Sequence, residues 1–499
     1  MIAILFSLLS VNLVLFTSTE EQVGDFDGHS DIGVINLKGD VQYDSETKQY
    51  TITGSGENMW ANEDAFHFLW RKTSGDQKLS TAITWIGPGG HEHRKAGLMV
   101  RQSLDPGAQY IDVVVHGNGL VSMQYREQIG GDTQEFQAPV KAPAAIMLER
   151  NGDLFTLSVA GKNGTFNPVC SKIIQLKDPL YAGLAVCSHD STKKETAVFS
   201  NVQLENQGVI PDSSQILEST LETLDIETGQ RQVIARLKQL IEAPNWTMDG
   251  EKLLYNSGGK LYYIPVRGGT PSLIPTGEAD NCNNDHGLSP DGKWIALSHN
   301  TVDRGSLIYT VPSEGGKPIL VTRLGPSYWH GWSPDGKKLA YCAQRKNEFD
   351  IYTINIDGSK ETRLTNTPGL DDGPEYSPDG KYIYFNSERS DLMKIWRMQT
   401  NGDQQEQVTV DKDYADWFAH PSPDGKWLVF LSYDKSVQGH PANKEVVLRI
   451  MPTTGGEPKI LTHLFGGQGT INVPSWSPDS KKFSFVSYRL ITDTPKLSK

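Results

Sequence analysis

Positive charge, cysteine and long apolar runs are all scarce in this chain. Lysine and arginine number 47 against 60 aspartates and glutamates, a formal net charge of -13. Neutralising a phosphate backbone needs a basic patch, and none is visible, which argues against a nucleic-acid partner. Four cysteines in 499 residues are too few for a disulfide scaffold. Beyond Phe16 no run approaches the roughly 20 apolar residues that a membrane-crossing helix needs, so no span is expected in the mature chain. Between Gly24 and Glu205 there is also no useful run of helical period.

Turn formers and aromatics are plentiful instead. The chain holds 48 glycines and 27 prolines, with 11 Trp, 18 Tyr and 16 Phe. That mixture predicts an all-β protein. A hydrophobic fraction of 37% and a charged fraction of 21% suit a soluble globular chain rather than a disordered one. The length predicts two to four domains. Residues Ile2 to Phe16 form one apolar run broken only by Ser7, Ser10 and Asn12. It is too short to span a bilayer and sits at the extreme N-terminus, so residues 1–19 read as a secretory signal peptide. The mature protein is expected to be periplasmic or secreted.

From about residue 24 to 205, short alternating runs follow one another. Phe66, Phe68 and Trp70 alternate, as do Ile111, Val113 and Val115, then Val121, Met123 and Tyr125. Turn signals such as Gly117-Asn118-Gly119 and Asn151-Gly152-Asp153 separate them. The pattern predicts an antiparallel β-sandwich. The segments Lys95–Arg101 (KAGLMVR), Leu148–Gly152 (LERNG) and Ala197–Val202 (AVFSNV) resemble the concanavalin/laminin-G-like sandwich found beside bacterial carbohydrate enzymes. That resemblance implies a jelly-roll fold and, weakly, a glycan. Cys170 and Cys187 share this region and could pair after export. His91-Glu92-His93 reads chiefly as a solvated loop, with a metal site as the minor alternative.

The second region repeats. A turn motif recurs at Thr247–Gly250, Ser289–Gly292, Ser333–Gly336, Ser377–Gly380, Ser422–Gly425 and Ser477–Ser480, mostly as Ser-Pro-Asp-Gly. Proline presets the first turn position, aspartate bonds the amides after it, and glycine takes the left-handed position. A second turn recurs around Gly229, Gly268, Gly315, Gly358, Gly402 and Gly455. The last Ser-Pro-Asp turn is followed by room for one strand only, and the first glycine turn precedes every Ser-Pro-Asp turn. The N-terminal strands around 221–226 and 232–237 must therefore complete the last unit. This closure predicts a six-bladed β-propeller over residues 213–492.

The repeats resemble the TolB-like propeller family with its WD40-like PD40 repeats. The likeness rests on the Ser-Pro-Asp-Gly turns, the lysines just after them (Lys293, Lys337, Lys381, Lys426) and the aromatics before them (Trp332, Tyr376, Trp476). Related propellers gate prolyl-oligopeptidase-type peptidases, but no G-x-S-x-G elbow occurs here. TolB itself has an α/β N-terminal domain where this chain has a sandwich, so fold resemblance alone does not transfer a Tol–Pal role.

Departures from the repeat point to a site. Three positions before the turn Ser or Thr the blades read Pro244, His286, His330, Pro374, Ala419 and Pro474, with His420 one residue later in blade five. This placement resembles the metal site of oligogalacturonate-lyase-type propellers. It implies His286, His330 and His420, with Gln468, as ligands of one divalent ion (Mn²⁺, Zn²⁺ or Ca²⁺). Two other readings stay open: histidines that tie neighbouring blades together, and direct substrate contacts. Asp371 and Asp372 are the candidate acid/base carboxylates. Tyr328, Trp329, Trp417 and Phe418 offer ring faces to a glycan or another polar ligand, blade packing being the alternative. Arg304, Arg345 or Arg389 would neutralise a uronate. Ten or so extra residues in blade five, around Asp434 to Lys444 with His440, are expected to wall the same face. Three functions are compatible with these features: a glycan- or ligand-binding protein, a metal-dependent lyase-like carbohydrate enzyme, and a periplasmic protein-interaction scaffold.

Overall fold

A computed structural model of the chain describes residues 22–87, 89–161, 163–208 and 215–492. The run read as a signal peptide lies outside the described residues. Every regular element among the described residues is a β-strand, as the turn-rich composition predicts. No described helix is long and apolar enough to cross a membrane.

The first region is built from two seven-stranded antiparallel sheets. One runs, in spatial order, through Gly28–Ile32, Phe66–Thr73, Leu180–Cys187, Lys95–Arg101, Tyr110–His116, Leu120–Arg126 and Gln134–Lys141. The other runs through Phe166–Ile173, Leu154–Ala160, Ala145–Asn151, Asp76–Trp85, Glu195–Gly208, Gln49–Gly54 and Asp40–Asp44. Strand periodicity sorts the side chains. Leu98, Val100, Ile111 and Val113 share one core with Leu79, Leu148, Phe155 and Leu157 of the facing sheet. Their neighbours Met99, Tyr110 and Val114 point the other way and form a second cluster with Phe66, Phe68 and Trp70. The cysteine pairing is not found. Cys170 and Cys187 are free thiols on different sheets and in different clusters, Cys170 in the shared core and Cys187 in the second cluster.

The second region is a six-bladed propeller. Five blades are four-stranded sheets whose strands follow chain order outward from the channel. Each innermost strand leads into a turn of this motif, Ser-Pro-Asp in all blades but the first, which has Thr247-Met248-Asp249. In that turn the serine hydroxyl donates to the aspartate (Ser289 to Asp291, 2.7 Å), which also accepts the amide of the next lysine (Lys293, 3.1 Å). Gly292, Gly336, Gly380 and Gly425 hold φ near +70°, and Ser480 takes that position in blade six at +61°. The sixth blade closes the ring. Gln215–Asp225 pairs along its whole length with the last strand, Lys482–Thr492, and Arg231–Leu237 lies outside it. Sealing the propeller's first and last strands into one sheet closes the ring and leaves only the short outer edges of the blades.

The sandwich rests on this closure. The Val169 carbonyl accepts from Thr462 Oγ1 (2.7 Å) in blade five and from Arg231 Nη1 (3.2 Å) in blade six. Lys172 pairs with Glu445 (3.2 Å), and Arg489 bridges Glu149 (2.9 Å) and Glu218 (2.7 Å).

Candidate functional site at the channel mouth

The innermost strands are irregular where they begin. Their register to the second strand slips between Glu242 and Asn245, Cys282 and His286, Trp329 and Gly331, Asp372 and Glu375, and Trp417 and His420. Such bulges break the strict in/out alternation and re-aim side chains. Three of them contain a left-handed residue: Ala243 (φ +56°), Gly373 (+63°) and Phe418 (+55°). At Gly373 a Cβ would stand 2.4 Å from Asn386 Oδ1 and 3.0 Å from the Phe418 ring, so only glycine fits.

The bulges open a cavity of about 490 Å³ on the face opposite the Ser-Pro-Asp turns. Blade two contributes Asn283, Asn284 and Asp285; blade three Tyr328, His330 and Phe349; blade four Asp372; blade five Phe418; blade six Gln468 and Asn472. His440, from the extra loop of blade five, completes the wall, its ring centroid 4.4 Å from that of Trp417 and 5.3 Å from that of Phe418.

Charge in this mouth is arranged unequally. His330 Nε2 lies 3.2 Å from Asp372 Oδ1, and the Gly373 amide donates to the same oxygen (2.8 Å). Burial works against both charges, yet the pairing prevails: Asp372 is held down at about 2 and His330 is raised. Asp285 differs. It is fully buried, and its oxygens accept only amides, Asn283 Nδ2 (2.7 Å) and Asn472 Nδ2 (3.1 Å). Burial and the nearby Asp372 charge push it up to about 6 against the pull of His330. Glu242, the first residue of blade one's innermost strand, is pushed to about 7 by burial and by Asp285.

The residues singled out from sequence divide into two groups. Asp372, His330, Gln468, Tyr328 and Phe418 meet at the cavity. The others are engaged elsewhere. Asp371 alternates to the opposite side of its strand and pairs with Arg389 (2.8 Å), so the two aspartates do not face one substrate. Arg389 is thereby taken, and it also lies over the Trp396 ring. Arg345 is bound to Glu361 (2.7 Å) and to the Pro326 carbonyl, and Arg304 pairs with Asp303 on an exposed turn. None of the three arginines lines the cavity. Trp329 is wholly buried against Gly287, where a Cβ would meet its ring at 2.2 Å, and Trp417 is buried in the core of blade five.

The donors expected to share a metal do not converge. His420 has both ring nitrogens engaged, with Glu375 Oε2 (2.6 Å) of blade four and the Ile471 carbonyl (2.7 Å) of blade six. It ties three blades together. His286 is fully buried with neither nitrogen partnered, and burial lowers it to about 3. Only His330 and Gln468 of the four reach the cavity. Among the described residues no three His, Cys, Asp or Glu side chains are gathered to hold a metal ion. These four residues therefore do not fit one divalent ion.

Asn472, Phe349 and Glu242 escaped sequence reasoning. A signal existed: five positions before the turn Ser or Thr the blades read Glu242, Asn284, Tyr328, Asp372, Trp417 and Asn472. Four of those six line the cavity.

Comparison with known proteins agrees with the propeller fold. The sequence pattern of the TolB beta propeller domain matches residues 325–487. An uncharacterized protein of Agrobacterium fabrum is 49% identical over 273 residues, which are 54% of this chain and 93% of that protein. A solved structure of a TolB-type protein from Agrobacterium tumefaciens is 49% identical, with a TM-score of 0.53, covering 55% of this chain and 98% of that one. The Tol-Pal system protein TolB of Anaeromyxobacter dehalogenans is 25% identical over 154 residues. The match covers 31% of this chain and only 26% of that relative.

Proposed function

Because the chain belongs to the TolB β-propeller family, we propose that it is an exported propeller protein that binds a polar ligand, a glycan first among the classes, in the channel mouth. One observation carries this reading: five blades direct amides, carboxylates and ring faces into a single cavity of about 490 Å³. Amides and carboxylates bond hydroxyls, and ring faces stack on the C–H faces of sugars. A concanavalin/laminin-G-like type for the sandwich, domain limits at 24–205 and 213–492, and a periplasmic location belong to the same proposal.

The lyase alternative keeps a paired carboxylate and imidazole, Asp372 and His330, but lacks a converged set of metal donors. The scaffold alternative has support from the Tol–Pal name of a relative that this chain covers only in part. Calorimetric titration of the purified protein against a panel of oligosaccharides tests the proposal. Saturable one-to-one binding that Asn472→Leu abolishes supports it; a panel without heat, beside a stable protein partner in pull-downs, transfers the case to the scaffold.

A further inference from the structure

The same cavity carries a bias in its chemistry. Among the described residues, no lysine or arginine lines it. The histidine that pairs there, His330, is held by Asp372. Asp285 is left with no cation in bonding contact among the described residues, its oxygens accepting only from Asn283 and Asn472.

Hydrogen-bond acceptors are in surplus as well. Asn472 is 2% exposed and its Oδ1 has no partner. Its amide orientation is fixed, because Nδ2 faces two acceptors, Asp285 Oδ1 (3.1 Å) and the Asn284 carbonyl (3.4 Å). A buried carbonyl oxygen without a donor costs free energy that a ligand N–H would recover. Around these acceptors stand the rings of Tyr328, Phe349 and Phe418. The complement of a carboxylate without an ion pair, an unpartnered carbonyl oxygen and aromatic faces is a group with several N–H donors, no acceptor and a positive charge. A carboxylated ligand would meet Asp285 without a counter-ion, a like-charge contact that selects against it.

We infer that the channel mouth, as the ligand site proposed above, selects a ligand bearing a protonated amine, received by Asp285 and Asn472 and bordered by Tyr328, Phe349 and Phe418. For a glycan this means an amino sugar with a free amine, and it excludes a uronate.

The test is calorimetry on the purified chain at pH 7 with four probes: a glucosamine trimer, its N-acetylated counterpart, a galacturonate trimer and putrescine. The glucosamine trimer is expected to bind about tenfold tighter than the acetylated one, the scale of one charge-assisted hydrogen bond. Galacturonate is expected not to bind. Putrescine binding without any saccharide would uphold the amine selection and sink the glycan reading. An acetylated or uronate trimer that binds as tightly as the amine overturns the inference and leaves the glycan reading standing. Silence from all four overturns both. Asp285→Asn is expected to erase the preference of amine over N-acetyl. Should that variant fail to fold, Phe349→Ala, on the half-buried rim, is expected to weaken the amine probes severalfold, and unchanged affinity there counts against the inference.

Discussion

Two buried aspartates, one in each region, show how the same side chain serves opposite ends. Asp64 of the sandwich is enclosed by Arg126, both of whose Nη atoms reach it (2.9 and 2.8 Å), with Arg101 3.4 Å away. The remaining guanidinium protons of Arg126 go to the carbonyls of Ala61, Pro106, Ala108 and Gly131. Nothing is left for a ligand to bond. Asp285 of the propeller is equally buried, but it is met by amides alone and borders an open cavity. A closed network holds a fold together. An acceptor-rich mouth whose carboxylate makes no direct ion pair is stable only to the extent that it is neutral, hydrated or occupied.

The largest expected effect breaks the closed side of the comparison. Arg126→Met strands Asp64 and the carbonyls around it, and about 3–5 kcal/mol of stability should be lost in urea unfolding followed by tryptophan fluorescence. Asp285→Asn removes a carboxylate that makes no direct ion pair, and it should stay within about 1 kcal/mol of the parent. Equal losses in the two variants would erase the distinction.

Titration sharpens the open side. Glu242 and Asp285 have raised folded-state values, about 7 and about 6 against 4.5 and 3.8 in the unfolded chain. The favourable neutral forms are fully present below the unfolded values. Their contribution is lost as pH rises through the folded values. Stability should therefore fall between about pH 4 and 7, and a Glu242→Gln/Asp285→Asn double variant should flatten that slope. An unchanged slope would mean that both groups ionise freely in the folded protein.

The smallest expected effect concerns blade six. Ser480→Gly relieves a left-handed serine but deletes the hydroxyl that accepts the Asp424 amide (2.9 Å). The two nearly cancel, and the net change should lie within about 1 kcal/mol by thermal unfolding.

The propeller was legible because each blade repeats one turn with a physical reason for every residue, and because the order of the turns forces ring closure. The mouth was legible in part. Tyr328, His330 and Asp372 depart from the repeat, and all three reach the cavity. The errors share one cause. Adjacent strand residues face opposite sides unless a bulge intervenes, and the register breaks at Trp329/Gly331 and Trp417/His420 leave no trace in the repeat spacing. So Asp371 and Asp372 read as a pair and stand apart, and of the two histidines read as channel ligands, His286 is buried off the cavity and His420 ties blades together. The arginines misled for a second reason: their carboxylate partners, Asp371 and Glu361, are distant in sequence, so their engagement shows only in three dimensions.

Hydrogen exchange with and without a saturating saccharide tests the central claim most directly. A ligand in the mouth should slow exchange in segments holding Asn283–Asp285, Tyr328–His330, Asp372–Gly373 and Gln468–Asn472, and leave the Ser-Pro-Asp turns and the sandwich unchanged. Protection confined to the sandwich sheets would contradict it and move the binding site to the other region of the molecule.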